Sequence, residues 1–146
     1  MSVTGLMSIL VILAAVSDIQ SRRIPNALNF VILLSGIAVA SMGWSELDVG
    51  ALSSLLGALS ALAILLMPFA LDVYRGGDVK LCIGMGAWLG VKGVLWAIGL
   101  GVVGGGLLGL IMLGARGKEA KGQTVPMAVC FSLSGIWVAV RGAPPW

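Results

Sequence analysis

Histidine is absent from the 146 residues of the chain. Its absence removes histidine metal sites, Ser-His triads and Cys-His dyads together. Charge is scarce as well: Asp, Glu, Lys and Arg make up 10% of the residues, against about 25% in a soluble domain. Cysteine occurs twice, as Cys82 and Cys130. Both lie in apolar stretches, too few and too isolated for a metal cluster, and are predicted to be buried free thiols. What the chain has instead is apolar, at 59% hydrophobic residues with 22 glycines. A soluble domain of this size leaves roughly a third of its unfolded surface exposed and could not hide so much apolar area. A soluble globular domain and a disordered chain are therefore both excluded, and one integral membrane domain over residues 1–146 is predicted.

The apolar runs give the spans. They are Ser2 to Ser17, Ala27 to Trp44, Val49 to Leu71, Leu81 to Val91, Gly93 to Ala115 and Val125 to Val140. The first has no basic leader in front of it and reads as a retained helix. Leu81 to Ala115 as one helix would be roughly 50 Å long, too long for a hydrocarbon core about 30 Å thick. Gly90-Val91-Lys92-Gly93 supplies a charge and two glycines, so the run is divided there. An all-α, polytopic fold of six transmembrane helices is the result.

The net charge of +3 raises the question of nucleic acid. Nine basic residues scattered over short loops fit orientation signals better, and no nucleic-acid partner is expected. Arg22 and Arg23, Arg75 and Lys80, and Arg116, Lys118 and Lys121 fall in the first, third and fifth loops. Only Lys92 and Arg141 fall on the other side. Basic residues mark the cytoplasmic face, so both termini are predicted outside. Gly93, Ala97, Gly101, Gly105 and Gly109 recur every fourth residue and form one small-residue face. Packing inside the bundle is the plain reading of such a face, and a homo-oligomer contact the alternative. Pro126 suits the start of the last helix. The five tryptophans read mainly as interface anchors, Trp44 and Trp146 most of all.

Most of the six acidic residues need no special account. Glu46 and Asp48 are expected in an outer loop, Glu119 among lysines, and Asp72 at a helix end beside Arg75. Asp18 and Asp78 are different. Asp18 ends the first helix. Asp78 precedes a run of 11 apolar residues, Leu81 to Val91, roughly 16 Å if helical. That helix reaches useful length only by starting near Asp78. An aspartate at membrane depth costs roughly 2.5–3.5 kcal/mol, which makes it a functional candidate. Gly76 and Gly77 would let backbone or an extended substrate approach the carboxyl. Two carboxylates sharing a proton can activate water, polarise a carbonyl and protonate a leaving amine. The same pair could relay protons or bind a cation in a small transporter or channel.

The segments around the two aspartates are Asp18-Ile-Gln-Ser-Arg-Arg-Ile-Pro-Asn26 and Gly76-Gly77-Asp78-Val79-Lys80-Leu81, the latter followed by Gly86-Ala87-Trp88-Leu89-Gly90. Together, in this order, they resemble the type IV prepilin peptidase family, and Val125-Pro126 is similar to the opening of that family's last helix. The resemblance implies an intramembrane aspartic endopeptidase of the Gly-x-Gly-Asp type. Its catalytic pair would be Asp18 and Asp78, with Gly76, Gly77 and Lys80 supporting the site. Lys80 would steady Asp78 or meet lipid phosphate, and otherwise simply snorkels. The substrates implied are prepilins and pseudopilins, cut at the cytoplasmic boundary of a bacterial or archaeal plasma (inner) membrane. The chain looks like the short, peptidase-only form found with tight-adherence (Flp-type) pili. It lacks the paired-cysteine segment of larger members, so no metal, cofactor or methyl transfer is expected. One position departs from the pattern: Arg75 stands where the motif has its first glycine, and a left-handed backbone there would be costly. That departure is the one feature favouring an inactive assembly factor.

Overall fold

The computed structural model describes residues 2–21, 24–116 and 127–142. Arg22, Arg23, Lys118, Glu119, Lys121, Pro126 and Trp146, which figure in the sequence reading, lie outside them. The described residues form α1 (Val3–Ser21), α2 (Asn26–Ser41), α3 (Ala51–Ala70), α4 (Gly76–Arg116) and α5 (Met127–Arg141). The fold is all-helical. α1, α3 and α4 are long and apolar enough to cross a membrane. α2 and α5, at 16 and 15 residues, are shorter than the roughly 20 that span the core at right angles.

Five helices stand where the sequence reading expects six. The difference lies in α4, whose 41 residues take in both of the segments divided in the sequence. Gly90 interrupts the helix at the expected place, with φ 67° and ψ −175°. That backbone is accessible essentially to glycine alone. A Cβ there would also lie 2.7 Å from Ser53 Oγ. The break leaves no separate loop, because helical geometry resumes at once on either side. α4 also begins earlier than the apolar run starting at Leu81, so Asp78 lies within its first turn.

Apolar residues fill the interior and also cover the outer surface. On α1, Met7, Val11, Ala14 and Asp18 form the buried face, while Ile9, Ile12, Leu13, Val16 and Ile19 are exposed. The spacing of three and four residues places the buried set on one helical stripe. Asn29, Ser54, Ser132 and Ser134 are buried too. Polar groups inside and large aliphatic groups outside suit a hydrocarbon solvent.

α4 is the hub, packed against α3, α5 and α2. With α3 the backbones touch. A Cβ on Gly57 would collide with the Gly86 carbonyl oxygen, and one on Gly86 with the Gly57 carbonyl. Ser54 Oγ donates to the Ala87 carbonyl at 2.7 Å in the same contact. The small-residue face of α4 packs on α5, as its plain reading expects. A Cβ on Gly101 would run into the Phe131 ring and one on Gly105 into Met127 Sδ. Ser134 Oγ donates to the Ala97 carbonyl at 2.7 Å.

Two local expectations change. Trp88 is no interface anchor but is buried, its Nε1 donating to the Ile32 carbonyl at 2.8 Å. Glu46 is not merely solvated. It accepts from the Val3 N–H at 2.8 Å, the Thr4 N–H and the Thr4 hydroxyl, closing the first turn of α1. Those bonds, the Thr4 hydroxyl first and the Val3 N–H next, hold its carboxyl below the usual range. Cys82 and Cys130 are buried and free, as expected.

Gly86→Ala should therefore destabilise the protein by about 1–3 kcal/mol through overpacking against backbone that cannot yield. Gly104, which has open space where its Cβ would be, should accept alanine with no loss. Thermal unfolding in detergent checks both; equal melting temperatures for the two variants would remove the claimed backbone contact.

Candidate functional site

Asp18 and Asp78 come from different helices and meet at one end of the bundle. Asp18 lies three residues before the end of α1, on its buried face. Asp78 is the third residue of α4. They are 8% and 5% exposed, and their charges act directly on one another. The α1–α2 connection contributes to the approach. Ile24, just before α2, lies 3.5 Å from where a Cβ of Gly77 would be. Both expected acidic residues are therefore buried, one near the end of α1 and the other in the first turn of α4.

A tight turn sets the position of Asp78. α3 stops at Ala70. The Asp72 N–H bonds to the Phe69 carbonyl and the Val73 N–H to the Pro68 carbonyl, at 3.1 and 2.9 Å. This is the paired closure of a helix that ends in a left-handed residue. Asp72 is that residue, with φ 56°. Glycine usually fills such a position, and aspartate is among the few others that tolerate it. Asp72 is thus a helix stop, in agreement with its expected helix-end role.

α4 starts four residues later. Asp78 N donates to the Arg75 carbonyl at 3.0 Å, while the Asp78 carboxylate accepts from the Arg75 backbone N–H. The side chain thereby satisfies a helix-start amide that would otherwise have no partner. A carboxylate in the first turn also faces the positive end of the helix dipole. Arg75 is not among the residues with positive φ, so the anticipated backbone penalty at this position does not arise. Its side chain is exposed.

Gly76 and Gly77 open α4. Neither has a left-handed backbone, and a Cβ on either would make ordinary contacts, 3.6 Å from Phe69 and 3.5 Å from Ile24. Nothing in the protein's own packing demands glycine there. Lys80 is turned toward α2, its Nζ donating to Asn26 Oδ1 at 2.8 Å. That bond, rather than a contact with Asp78, defines its position.

Two residues at this end carried no sequence signal that singled them out. Tyr74, in the α3–α4 turn, packs edge-on against Phe131 with ring centroids 5.8 Å apart. Burial, with Cys82 and Asp78 nearby, pushes its hydroxyl above the usual range, so it remains a proton donor at neutral pH. Asn29 is 5% exposed, and both polar atoms of its side chain lack a hydrogen-bond partner among the described residues. A polar residue one turn inside an apolar helix was its only available signal.

The turn gives a direct test. Asp72→Gly should keep or raise stability, by up to about 1 kcal/mol, because glycine occupies left-handed backbone without strain. Asp72→Val should lower it by about 1–2 kcal/mol for the opposite reason. Chemical denaturation in mild detergent measures both, and a valine variant as stable as the glycine variant would contradict the left-handed stop.

The type IV leader peptidase family model matches residues 5–110. The matched region runs from the first helix through both aspartates and the Gly90 break. No curated protein matches the chain, and no solved structure does.

Proposed function

Because the chain belongs to the type IV leader peptidase family, we propose that it is an intramembrane aspartic endopeptidase that removes the short basic leader from type IV prepilins and pseudopilins of the Flp kind. The observation that carries the reading is the convergence of Asp18 and Asp78, two buried carboxylates from separate helices that act on one another. In the proposed reaction one carboxylate, ionised, takes a proton from water as that water attacks the scissile carbonyl. The other, protonated, polarises the carbonyl and then gives its proton to the leaving amine. Two like charges in such proximity resist simultaneous ionisation, which favours one proton on the pair. Gly76 and Gly77 support the site by leaving the first turn of α4 without side chains where substrate backbone approaches. Lys80 supports it from the α2 side through Asn26. No metal or cofactor takes part.

The membrane arrangement belongs to the same proposal. α4 counts as two spans, 76–89 and 91–116, divided at Gly90, which makes six crossings with both termini outside. Seven of the nine basic residues then face the cytoplasm of the plasma membrane, by the rule that favours Lys and Arg there. The aspartate pair falls on that cytoplasmic side, where a prepilin leader would be cut.

Asp18→Asn and Asp78→Asn should each abolish cleavage of a co-expressed prepilin while leaving the protein in the membrane. Asparagine keeps the shape but exchanges no proton, and paired catalytic groups fail as a unit. Asp72→Asn should retain most activity, since asparagine also tolerates left-handed backbone. The wild-type rate should follow two macroscopic pKa values that belong to the pair, and chelators should leave it unchanged. A purified asparagine variant of either residue that keeps more than about a tenth of the wild-type rate, roughly 1.4 kcal/mol in barrier, would exclude the dyad. Ion transport into liposomes without any cleaved product would point to a proton-coupled carrier.

A further inference from the structure

Tyr74 is the one tyrosine of the chain. It stands in the short turn between α3 and α4 and is half-buried against the apolar core. Its ring meets Phe131 of α5 edge-on, with centroids 5.8 Å apart and planes at 72°. Phe131 is itself fully buried, and an edge-to-face pair of this kind fixes the direction of the ring. The Asp78 carboxylate folds back toward the same turn. It accepts from the Arg75 N–H, which belongs to the peptide bond that joins Tyr74 to Arg75. The carboxylate and the phenol ring are thus both tied to this one peptide group. Asp78 and Cys82, one turn apart on α4, are the titratable groups whose charges act on the phenol. From α5 the Phe131 ring faces it.

The proposed hydrolysis needs a donor that the aspartate pair does not supply throughout. As the water oxygen bonds to the scissile carbon, the carbonyl π pair moves onto the carbonyl oxygen. The protonated aspartate that polarises this oxygen must later give its proton to the leaving amine. A donor that keeps its own proton would hold the oxygen across both steps. Donors aimed at the atom where charge develops supply a large share of many rate enhancements. Few groups at this end of the bundle can serve. The chain has no histidine, Lys80 is bonded to Asn26, and the Arg75 side chain is exposed. Tyr74 is held through its ring beside Asp78. Burial first, then Cys82 and Asp78, push its phenol above the usual range, so the proton stays on the oxygen at neutral pH.

We propose that Tyr74 is a catalytic hydrogen-bond donor, its phenol engaging the scissile carbonyl oxygen and stabilising the oxyanion formed as water attacks. The proposal rests on the peptidase reading given above. The phenol transfers no proton. The aspartate pair carries both transfers, one from water and one to the leaving amine. Phe131 acts through Tyr74 as a positioning residue, since it fixes the ring that carries the hydroxyl.

The test uses the full-length protein in nanodiscs and a synthetic prepilin peptide. Tyr74→Phe keeps the ring against Phe131 and removes only the hydroxyl. Its kcat should fall by about 100-fold, the size of a lost oxyanion donor, with KM within about twofold of wild type. Its melting temperature should be unchanged. A fall in kcat of less than about tenfold, or a raised KM with kcat kept, would overturn the proposal. A second measurement needs no substitution by another residue type. Because the chain has one tyrosine, biosynthetic replacement of tyrosine by fluorotyrosines changes this phenol alone. Fluorine makes the phenol more acidic, and a phenolate has no proton to donate. The kcat profile should gain a descending alkaline limb, absent from wild type, that moves to lower pH with each added fluorine. A profile without that limb sinks the proposal, even if Tyr74→Phe fails to fold. Displacement of the wild-type limbs with no new one sinks it as well, because Tyr74 would then act on Asp78 and not on substrate. If wild type cleaves no prepilin peptide, the peptidase reading falls and the proposal with it. Cleavage that is normal in Tyr74→Phe removes the proposal alone.

Discussion

Two carboxyl groups have to be kept inside a chain whose outer surface is hydrocarbon, and the arrangement of the helices follows from that demand. Ionised groups near lipid are tolerated where they face the bundle interior and find hydrogen-bond partners. Asp18 meets the first condition by its register, one turn beyond Ala14 on the stripe that begins at Met7. A shift of one residue along α1 would turn the carboxyl by about 100°, toward the face that carries Ile19. Asp78 meets both conditions through its place in the first turn of α4, where the Arg75 N–H is available and the helix dipole is favourable. No mid-helix position would supply a free amide. The left-handed stop at Asp72 and the immediate start of α4 are therefore part of how the carboxylate is accommodated.

Holding two such groups together requires that their helices do not slide. The bundle achieves this with contacts that have little give. Gly57 and Gly86 bring the backbones of α3 and α4 together, and the Ser54 hydroxyl bridges to the Ala87 carbonyl beside them. On the α2 side, Gly36 faces Trp88, Gly84 faces Ile32, and the Trp88 indole is tied to the Ile32 carbonyl. Both contact pairs advance in the same sense along the two chains, so α2 and the limb of α4 before Gly90 run parallel. Their first turns then lie at the same end, beside the aspartates. Close-packed interiors transmit small displacements rather than absorb them, so a change at Gly86, about two turns from Asp78, would be felt at the site.

Much of this was legible in the sequence because lipid imposes a coarse code. Apolar length marked the helices, the four-residue recurrence from Gly93 to Gly105 marked the face that meets α5, and the excess length after Leu81 required a break where Gly90 supplies one. Asp18 and Asp78 stood out because most other charges had cheap explanations. The features that were missed depend on side-chain direction or on partners distant in sequence. Trp88 sits in an apolar helix like any anchor, and only the facing Gly36 shows that it is buried. Glu46 resembles a loop charge until the start of α1 is brought against it. Arg75 was judged by the glycine it replaces, whereas the left-handed residue of that turn is Asp72. Asn29 could not be distinguished from a tolerated polar residue without the packing that buries it.

The break at Gly90 has a further consequence for the site. A continuous helix of 41 residues would be roughly 60 Å long, twice the hydrocarbon core. Bending it could have produced a loose hinge in the middle of the hub, since glycine with positive φ is available to many conformations. α5 prevents that by packing on both limbs. Gly135 lies against Met85 before the break, while Val138 and Phe131 lie against Gly93 and Gly101 after it. Ser132 then joins α5 to α1 through the Val11 carbonyl, 3.3 Å away. The same short helix therefore braces the bend in α4 and holds the helix that carries Asp18. A kink that is clasped from both sides is a fixed angle, and the limb bearing Asp78 takes its orientation from a helix that also contacts the partner aspartate's own element.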